Sequence, residues 1–238
     1  MRPKYLHDIE DHQSDLSPSI VVPIVMRLFN PASIVDVGCG IGNWMKEFKK
    51  NGVKDIFGID GFHLDKSLFL NDTEELLLLD LEKPFTLPKR YDMAISLEVA
   101  EHLSEESATD FVKSLCNISD IVLFSAAVPG QGGQNHKNEQ WPSWWKKKFE
   151  DNGYVFHDAL RPVLWNNKSV KHWYKQNMFI ATKEKLTVKG EGGPVIDFIH
   201  PELLTTKLNE AIGGEFGVKI AFRTFLNSIS LAIKSRRG

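Results

Sequence analysis

The chain has 238 residues, with 29 Lys+Arg and 31 Asp+Glu, so its formal net charge at pH 7 is −2. A charged fraction of 25% and a hydrophobic fraction of 42% are typical of a globular domain and exclude a disordered or fibrous chain. The balanced charge argues against a protein that mainly binds a nucleic-acid backbone. With two cysteines, no apolar run of membrane-spanning length and a polar start, we expect a cytoplasmic protein.

The first predicted element is a helix over residues 15–30. Ser17 is its expected N-cap, Pro18 its first helical residue, and Pro31 follows its end. This helix occupies most of an N-terminal segment of residues 1–32.

Short apolar runs alternate with amphipathic stretches from residue 33 onward. The runs are 33–37, 55–59, 76–81, 91–97, 121–127, 154–160 and 177–182, and helical stretches lie at 42–51, 104–117 and 143–152. Several runs are apolar without a gap, which is typical of strands buried on both faces. Strict alternation of this kind predicts an α/β fold with a doubly wound sheet. In such a sheet, ligands bind beyond the carboxyl ends of the strands.

The composition changes after residue 185, and residues 186–238 are predicted to form a C-terminal helical extension. A Gly-rich segment at 189–194 precedes a short helix at 201–211 and a second helical pattern at 216–237. One face of the latter is apolar and the other is basic and polar. This helix either packs on the core or on a second subunit, or it rests on an anionic membrane surface. The second alternative would place the protein at the inner face of the membrane.

A Gly-rich turn follows the first predicted strand, in VDVGCGIGNW. Gly38, Gly40 and Gly42 allow a tight turn and let a ligand approach backbone amides at a helix N-terminus. The spacing is G-x-G-x-G, not the G-x-G-x-x-G of dinucleotide folds, and Asp36 stands two positions before the first glycine. A carboxylate there repels pyrophosphate and can accept a hydrogen bond from an amino group. The pattern therefore indicates a nucleotide that carries a cation.

Acidic residues also follow the second and third runs. Asp60 ends the second run, where a carboxylate can bind both hydroxyls of a ribose. Asp80 ends the third, where its carboxylate or the backbone of Leu81 can meet an adenine edge. Acids after three successive strands, behind a Gly-rich turn, indicate nucleotide binding.

Carboxylates and imidazoles follow the fourth and fifth runs. Glu98, Glu101 and His102 lie in EVAEH, and at positions i, i+3 and i+4 they share one face of a helical segment. His136 follows the fifth run, and its loop can reach the same crevice. These four residues are candidate ligands for a divalent ion such as Mg²⁺ or Mn²⁺, with positions left for substrate oxygens. Without a metal, Glu101, His102 or His136 is the candidate general base.

Residues 33 to about 183 resemble the class I S-adenosylmethionine-dependent methyltransferases. The resemblance rests on VDVGCGIG, IFGIDG, LLLLDL and YDMAISLEVAEHL. It implies a Rossmann-like, seven-stranded sheet with an antiparallel last strand, in a methyltransferase core of residues 33–185. It also implies that S-adenosylmethionine lies across residues 38–42, with its ribose at Asp60 and Gly61 and its adenine at Asp80 and Leu81.

Two further roles follow from the same resemblance. Glu98 lines the cofactor pocket in members that hold no metal. Residues 1–32, through Tyr5, His12 and Gln13, would close the pocket as a lid, and a mobile terminus is the alternative.

Narrower motifs bear on the acceptor. FSAAVPGQGGQNHKNEQWPSWW and LRPVLWNN look like bacterial methyltransferases of polysaccharide and cell-surface gene neighbourhoods. The ExxEH pattern with a later histidine is similar to metal-dependent O-methyltransferases of ubiquinone biosynthesis and of the terminal ribose of small RNAs. This resemblance implies O-methylation of a sugar or small-polyol hydroxyl, on a small-molecule or glycan acceptor. The alternatives are metal-free methylation of another small molecule or lipid-linked acceptor, and a non-catalytic cofactor-binding interaction module.

Tryptophans supply candidate walls for the acceptor. Trp141, Trp144 and Trp145 follow a Gly-rich loop at 130–133, and indole faces suit the apolar faces of sugar rings. The alternative is a helix anchored in the core by aromatic residues. A second aromatic and polar group at 165–174 is another candidate wall.

Overall fold

The computed structural model describes residues 15–183 and 197–213, together with residues 222, 223 and 226. The chain divides into two compact units, residues 1–198 and residues 199–238, and each is described by itself. The predicted lid residues Tyr5, His12 and Gln13, and almost all of the helix predicted at 216–237, lie outside the described residues.

The first unit contains seven strands and six α-helices within its described residues, numbered here in chain order. The strands are β1 (Ser33–Val37), β2 (Asp55–Asp60), β3 (Leu76–Leu78), β4 (Met93–Leu97), β5 (Ile121–Ser125), β6 (Val155–His157) and β7 (Phe179–Thr182). The helices are α1 (Ser17–Phe29), α2 (Asn43–Lys50), α3 (Ala108–Ile118), α4 (Pro142–Asp151), α5 (Arg161–Leu164) and α6 (His172–Asn177). Short 3₁₀ turns lie at Lys66–Leu68, Thr73–Glu75 and Ala100–His102. In the second unit, α7 spans Pro201–Gly213, where a short helix is predicted.

The seven strands form one sheet in the order β3-β2-β1-β4-β5-β7-β6. Strands β1 to β5 pair in parallel, and β7 pairs antiparallel with both β5 and β6. Each predicted run contains one strand. The doubly wound, Rossmann-like sheet with an antiparallel last strand is therefore confirmed.

Alternate side chains of the strands enter two separate apolar layers. Ile34 belongs to the layer that holds α1 and α2, whereas Val35 belongs to the layer that holds α3 and α4. Helices therefore cover both faces of the sheet, which explains why its central strands are apolar at nearly every position.

Helix α1 differs slightly from the prediction at its start. It begins at Ser17, so Pro18 is its second residue, and Ser17 makes no capping hydrogen bond to the helix. Instead the Asp15 carboxylate accepts hydrogen bonds from the Ser17 amide at 2.8 Å and from its hydroxyl at 2.5 Å. The helix ends at the left-handed Asn30, just before Pro31.

The strand order reverses between β1 and β4. From β1 the chain continues to β2 and β3 on one side of β1, and β4 then pairs with β1 on its opposite side. This reversal is the point at which open α/β sheets bind ligands. The ends of β1 to β5 and the loops that follow them lie at this edge, and they carry the predicted site residues. Within the described part of the chain, no helix is both long and apolar enough to cross a membrane.

Candidate active site

Two adjoining cavities lie at the carboxyl ends of the parallel strands. The Asp60 cavity, of about 620 Å³, is lined by Asp60, Gly61, Phe62, His63, Leu79, Asp80, Leu81, Glu82, Val99, Leu103 and Lys137. The Glu101 cavity, of about 390 Å³, is lined by Asp15, Pro18, Cys39, Ile41, Asn43, Trp44, Leu97, Glu101, Gln131, Gly132, Gly133, Gln134, His136, Trp173 and Tyr174. Both cavities share Gly38, Gly40, Glu98 and His102. These four residues therefore mark the boundary where a ligand of one cavity meets a ligand of the other.

The glycine turn after β1 leaves its backbone open to that boundary. Gly38 has a φ of +82°, and a Cβ there would lie 2.2 Å from a methyl carbon of Val99. Gly40 has a φ of +53°, and a Cβ there would meet nothing within 4 Å. The turn therefore packs closely at Gly38 and offers an open cradle at Gly40, as the sequence predicts for a ligand that approaches the backbone.

Gly42 and Asp36 line neither of the two cavities. A Cβ on Gly42 would lie 2.3 Å from Asn71 Nδ2, which donates to the Gly42 carbonyl at 2.9 Å. Asp36 is 3% exposed, and burial together with the Asp60 carboxylate raises its pKa to about 8. The Gly42 backbone is therefore covered by Asn71, and the hydrogen bond from a ligand amino group to Asp36 stays a prediction.

Asp60 ends β2 and lies in its cavity as predicted. Its Oδ2 accepts a hydrogen bond from the Gly40 amide at 2.6 Å, and its Oδ1 accepts one from the Gly61 amide at 2.6 Å. A carboxylate fixed at both oxygens still has lone pairs for the hydroxyls of a ribose. The direct bond to the glycine turn is a feature that the sequence motifs did not reveal.

The far end of the Asp60 cavity suits a flat heterocycle. Strand β3 ends at Leu78, so Asp80 and Leu81 follow it by two and three residues instead of ending it. Both line the cavity, as does Phe62, whose side chain is 72% exposed. Phe62 was not predicted, and it supplies an apolar ring face beside the expected adenine position.

Three of the four predicted metal ligands come together. Ligand atoms of Glu101, His102 and His136 lie within 4.8 Å of one another. Glu101 is fully buried, and neither of its carboxylate oxygens has a hydrogen-bond partner among the described residues. Burial, reinforced by the charge of Glu98, raises the pKa of Glu101 well above its usual range. The backbone amides of Glu101 and Ala127 oppose that shift without forming a hydrogen bond of normal geometry.

Glu98 lies outside this group. Its φ is +56°, so the helical turn begins only at Ala100, and the i, i+3 spacing does not align Glu98 with Glu101. The Glu98 carboxylate instead accepts hydrogen bonds from Gln131 Nε2 at 2.8 Å and from Asn177 Nδ2 at 3.1 Å. Burial raises the pKa of Glu98, and these two hydrogen bonds oppose the shift.

We call Gln131, Gln176 and Asn177 the amide clamp. Asn177 Nδ2 also donates to Gln131 Oε1 at 2.8 Å, and Gln176 Nε2 donates to Asn177 Oδ1 at 2.9 Å. All three side chains are at most 9% exposed. Sequence reasoning missed the clamp. The only signal was a polar Gln-Asn pair directly before an apolar strand.

His136 reaches the site because its loop is tied to the turn that carries Glu101. The amides of Lys137 and Asn138 donate to the Glu101 carbonyl at 2.8 and 3.0 Å. The His136 ring packs edge-on against the His102 ring, with centroids 4.8 Å apart. The prediction that the loop after β5 enters the same crevice is confirmed.

Lys137 also connects the two cavities. Its Nζ lies 2.9 Å from Glu82 Oε1, at the wall of the Asp60 cavity. Although burial raises the pKa of Glu82, hydrogen bonds from Lys137 and Ser104 lower it to about 2. The loop that carries His136 is therefore anchored to the nucleotide side as well.

The first tryptophan group lines neither of the two cavities. Trp145 is 1% exposed and packs in the core on Phe124, with ring centroids 5.2 Å apart. Trp144 is partly buried against Trp145, and Trp141, directly before α4, is 36% exposed. The alternative of a helix anchored by aromatic residues therefore applies to Trp144 and Trp145, and these three residues form no wall of either cavity.

The second aromatic group does reach the Glu101 cavity. Trp173 and Tyr174 line it together with Trp44, whose ring centroid is 5.2 Å from that of Tyr174. Trp165, by contrast, contacts Phe198 and lines neither cavity.

The residues present fit the groups that the sequence resemblance implies. An open glycine turn, a carboxylate with lone pairs for ribose hydroxyls and an apolar ring face line one cavity, and these groups suit S-adenosylmethionine. A buried carboxylate to which no described residue donates a hydrogen bond, beside two imidazoles, is a donor set that suits a divalent cation.

Comparison with known proteins agrees with the fold. The family model described as "Methyltransferase domain" matches residues 11–177. No curated protein matches. Magnesium protoporphyrin IX methyltransferase from Synechocystis PCC 6803, solved with bound SAH, is 18% identical with a TM-score of 0.54, over 74% of this chain and 86% of that one.

Two further solved structures are similar. DesVI from Streptomyces venezuelae is 12% identical with a TM-score of 0.54, over 76% of this chain and 100% of the other. CalS10 from Micromonospora echinaspora, an amino pentose methyltransferase solved with bound SAM, is 12% identical with a TM-score of 0.54, over 76% and 98%. The family match covers well over half of the chain and includes both cavities. The chain therefore belongs to the methyltransferase domain family and is an enzyme of the S-adenosylmethionine-dependent methyltransferase fold.

Proposed function

We propose that this enzyme transfers a methyl group from S-adenosylmethionine to a hydroxyl of a sugar or small polyol, with a divalent ion held by Glu101, His102 and His136. The observation that carries the proposal is the Glu101 carboxylate, which is fully buried, has no hydrogen-bond partner among the described residues and lies within 4.8 Å of two imidazoles. An unpaired buried carboxylate is costly unless a cation or a proton neutralises it.

The cofactor supplies an activated methyl group, and the ion would make an acceptor hydroxyl more acidic. The chain's own residues set the geometry. Asp60 and Gly40 hold the nucleoside in the Asp60 cavity. The hydrogen bond from the Gly40 amide to the Asp60 carboxylate fixes the positions of these two residues relative to each other. Transfer is an in-line displacement, so alignment at the boundary between the two cavities governs the rate.

Glu98 has a separate role at that boundary. It lines both cavities, and Gln131 and Asn177 of the amide clamp donate hydrogen bonds to its carboxylate. A fixed negative charge next to the reacting centre favours a cationic sulfonium there. Glu98 is therefore assigned to the cofactor, and the ion to the other three residues.

The walls of the Glu101 cavity support a sugar or polyol acceptor. Trp44, Trp173 and Tyr174 offer apolar ring faces, and the polar side chain of Gln134 lines the same cavity. Aromatic faces beside polar groups suit rings that carry hydroxyls on an apolar frame. A glycan precursor of the cell surface belongs to this class.

The test uses the full chain, dialysed against EDTA and then titrated with Mn²⁺ by electron paramagnetic resonance. Methyl transfer to a panel of nucleotide sugars and glycan fragments is followed by release of S-adenosylhomocysteine. We expect one bound Mn²⁺, transfer that chelation abolishes, and loss of both in Glu101→Gln. Glu106→Gln is the matched control, because Glu106 is exposed and lines neither cavity.

Other outcomes separate the alternatives. Unchanged rates after chelation, with an active Glu101→Gln, would overturn the metal and leave His102 or His136 as the general base. Transfer only to aromatic or lipid-linked acceptors would overturn the sugar assignment. A chain that binds neither S-adenosylmethionine nor S-adenosylhomocysteine would be an interaction module.

A peripheral membrane contact through residues 216–237 stays a separate proposal. Its support is the helical pattern in the sequence of residues 216–237, which has one apolar face and one basic and polar face. Salt-sensitive flotation with anionic liposomes, lost on deletion of residues 214–238, is the expected result. No flotation would overturn it.

A further inference from the structure

Glu139 contacts His136 of the Glu101 group and lines neither cavity. Its Oε1 is 2.8 Å from His136 Nδ1 and accepts the Gly132 amide at 2.6 Å, while its Oε2 accepts the Gly130 amide at 2.8 Å. The side chains of His136 and Glu139 are 12% and 19% exposed. One carboxylate thus holds both the imidazole and the backbone of the loop that carries it.

We infer that Glu139 is a positioning residue that fixes His136 in the tautomer with the proton on Nδ1, so that the lone pair on Nε2 serves as the metal-ligating or proton-accepting atom. Glu139 Oε1 and Oε2 together accept two backbone amides, so this carboxylate is an acceptor and requires a donor at Nδ1. A neutral imidazole with its proton on Nδ1 has its lone pair on Nε2.

The loop is shaped around this ring. A Cβ on Gly133 would lie 2.2 Å from His136 Nε2, so the backbone at Gly133 leaves room for the ring that only a glycine allows. The ring is therefore held at Nδ1 by a hydrogen bond, and Gly133 leaves the space beside its Nε2 that a larger residue would fill. Outer carboxylates that orient a ligating histidine typically change metal affinity by about 10–100-fold when they are removed.

The inference rests in part on the proposed function, so the test separates the two. Protein labelled with ¹⁵N-histidine is studied by long-range ¹H–¹⁵N correlation at pH 8, where an ordinary imidazole with a pKa of about 6.5 is neutral. His136→Asn identifies the His136 signals among the eight histidines. We expect a protonated Nδ1 and an unprotonated Nε2 at His136, whether or not Mn²⁺ is added.

Two variants of Glu139 distinguish a role as hydrogen-bond acceptor for His136 from a role that only fills space. Glu139→Gln retains one acceptor oxygen for His136 and Gly132, so it keeps the tautomer and most of the Mn²⁺ affinity. Glu139→Ala removes the acceptor, so it shifts the His136 proton to Nε2 and weakens Mn²⁺ binding by about 10–100-fold. Glu106→Ala is the matched control, and unchanged binding of S-adenosylhomocysteine shows that each variant is folded.

Each outcome has a distinct meaning. A wild-type His136 protonated on Nε2, or a Glu139→Ala variant that keeps the Nδ1 proton, overturns the inference. The expected tautomers without Mn²⁺ binding would leave the positioning role in place and overturn only the metal in the proposed function.

Discussion

The Asp60 carboxylate and the Gly40 amide are joined by a hydrogen bond of 2.6 Å, which links the end of β2 directly to the glycine turn after β1. Gly40 lines both cavities, and Asp60 lines only one of them. A nucleoside held by Asp60 is therefore placed relative to the boundary at which the two cavities meet.

This relationship gives a prediction for Gly40→Ala. A Cβ at Gly40 meets no protein atom within 4 Å, so the added methyl group enters the space where the cofactor would lie. We expect affinity for S-adenosylhomocysteine, measured by calorimetry, to fall at least tenfold. The left-handed backbone at Gly40 also costs about 1–2 kcal/mol of stability for any other residue.

Gly153→Ala is the matched control for that strain. Gly153 has a φ of +79°, equally open surroundings and no place in either cavity. It should lose similar stability in urea unfolding and keep full affinity. Equal affinities in the two variants would mean that Gly40 does not face the cofactor.

Asp36 gives a prediction about the pH dependence of stability. Its native pKa of about 8 exceeds its ordinary value of 3.8, so the unfolded chain releases this proton first as pH rises. Between about pH 4 and pH 8 the native state binds more protons, and its free energy of unfolding falls as pH increases, by up to about 1.4 kcal/mol per pH unit. Asp36→Asn cannot titrate, so the stability of the wild type relative to this variant should decline across this range and level off above it.

Urea unfolding at several pH values checks this sign. Asp65→Asn is the control, because hydrogen bonds from Ser67 lower the pKa of the exposed Asp65, and its carboxyl is ionised in both states above about pH 5. Its stability difference from the wild type should stay flat. Parallel curves for Asp36→Asn and wild type would contradict the buried, raised pKa.

The amide clamp gives a third prediction. Asn177→Ala removes a donor to Glu98 and to Gln131, so the free energy of unfolding should fall by about 1–3 kcal/mol. Because Glu98 lines both cavities, affinity for S-adenosylhomocysteine should fall as well. Calorimetry and urea unfolding measure the two effects.

Asn152→Ala provides the comparison. Asn152 Nδ2 donates to the Lys148 carbonyl on the surface of α4, away from both cavities. This variant should bind S-adenosylhomocysteine like the wild type. A loss of stability in Asn177→Ala with no change in affinity would restrict the clamp to a structural role.

The sheet was predictable because its signal is local. Each strand of a doubly covered sheet is a short apolar run, and the acid at its end marks the ligand edge, as at Asp60. Helices α5 and α6 were not predicted, because helices of 4 and 6 residues are too short to show a helical period in the sequence. The strands could be predicted because burial on both faces of the sheet requires the apolar runs that the sequence shows.

The site was harder to predict where the backbone departs from regular structure. The positive φ of Glu98 shifts it out of phase with Glu101, and spacing in the sequence does not reveal such a residue. The indoles of Trp144 and Trp145 are likewise ambiguous, since a sequence shows the residues of α4 but not which face meets the sheet. Glu139 and the amide clamp act through contacts that only the folded loops create.

Gly133 and Gly130 give a last prediction about the loop that carries His136. A Cβ on Gly133 would lie 2.2 Å from His136 Nε2, so Gly133→Ala must displace the imidazole or the backbone. A Cβ on Gly130 would meet nothing within 4 Å, so Gly130→Ala adds only backbone strain at a φ of +87°. We therefore expect Gly133→Ala to lose Mn²⁺ binding and methyl transfer while it keeps S-adenosylhomocysteine affinity. Gly130→Ala should keep all three, and equal losses in the two variants would show that strain in the loop, not the place of the His136 ring, controls the site.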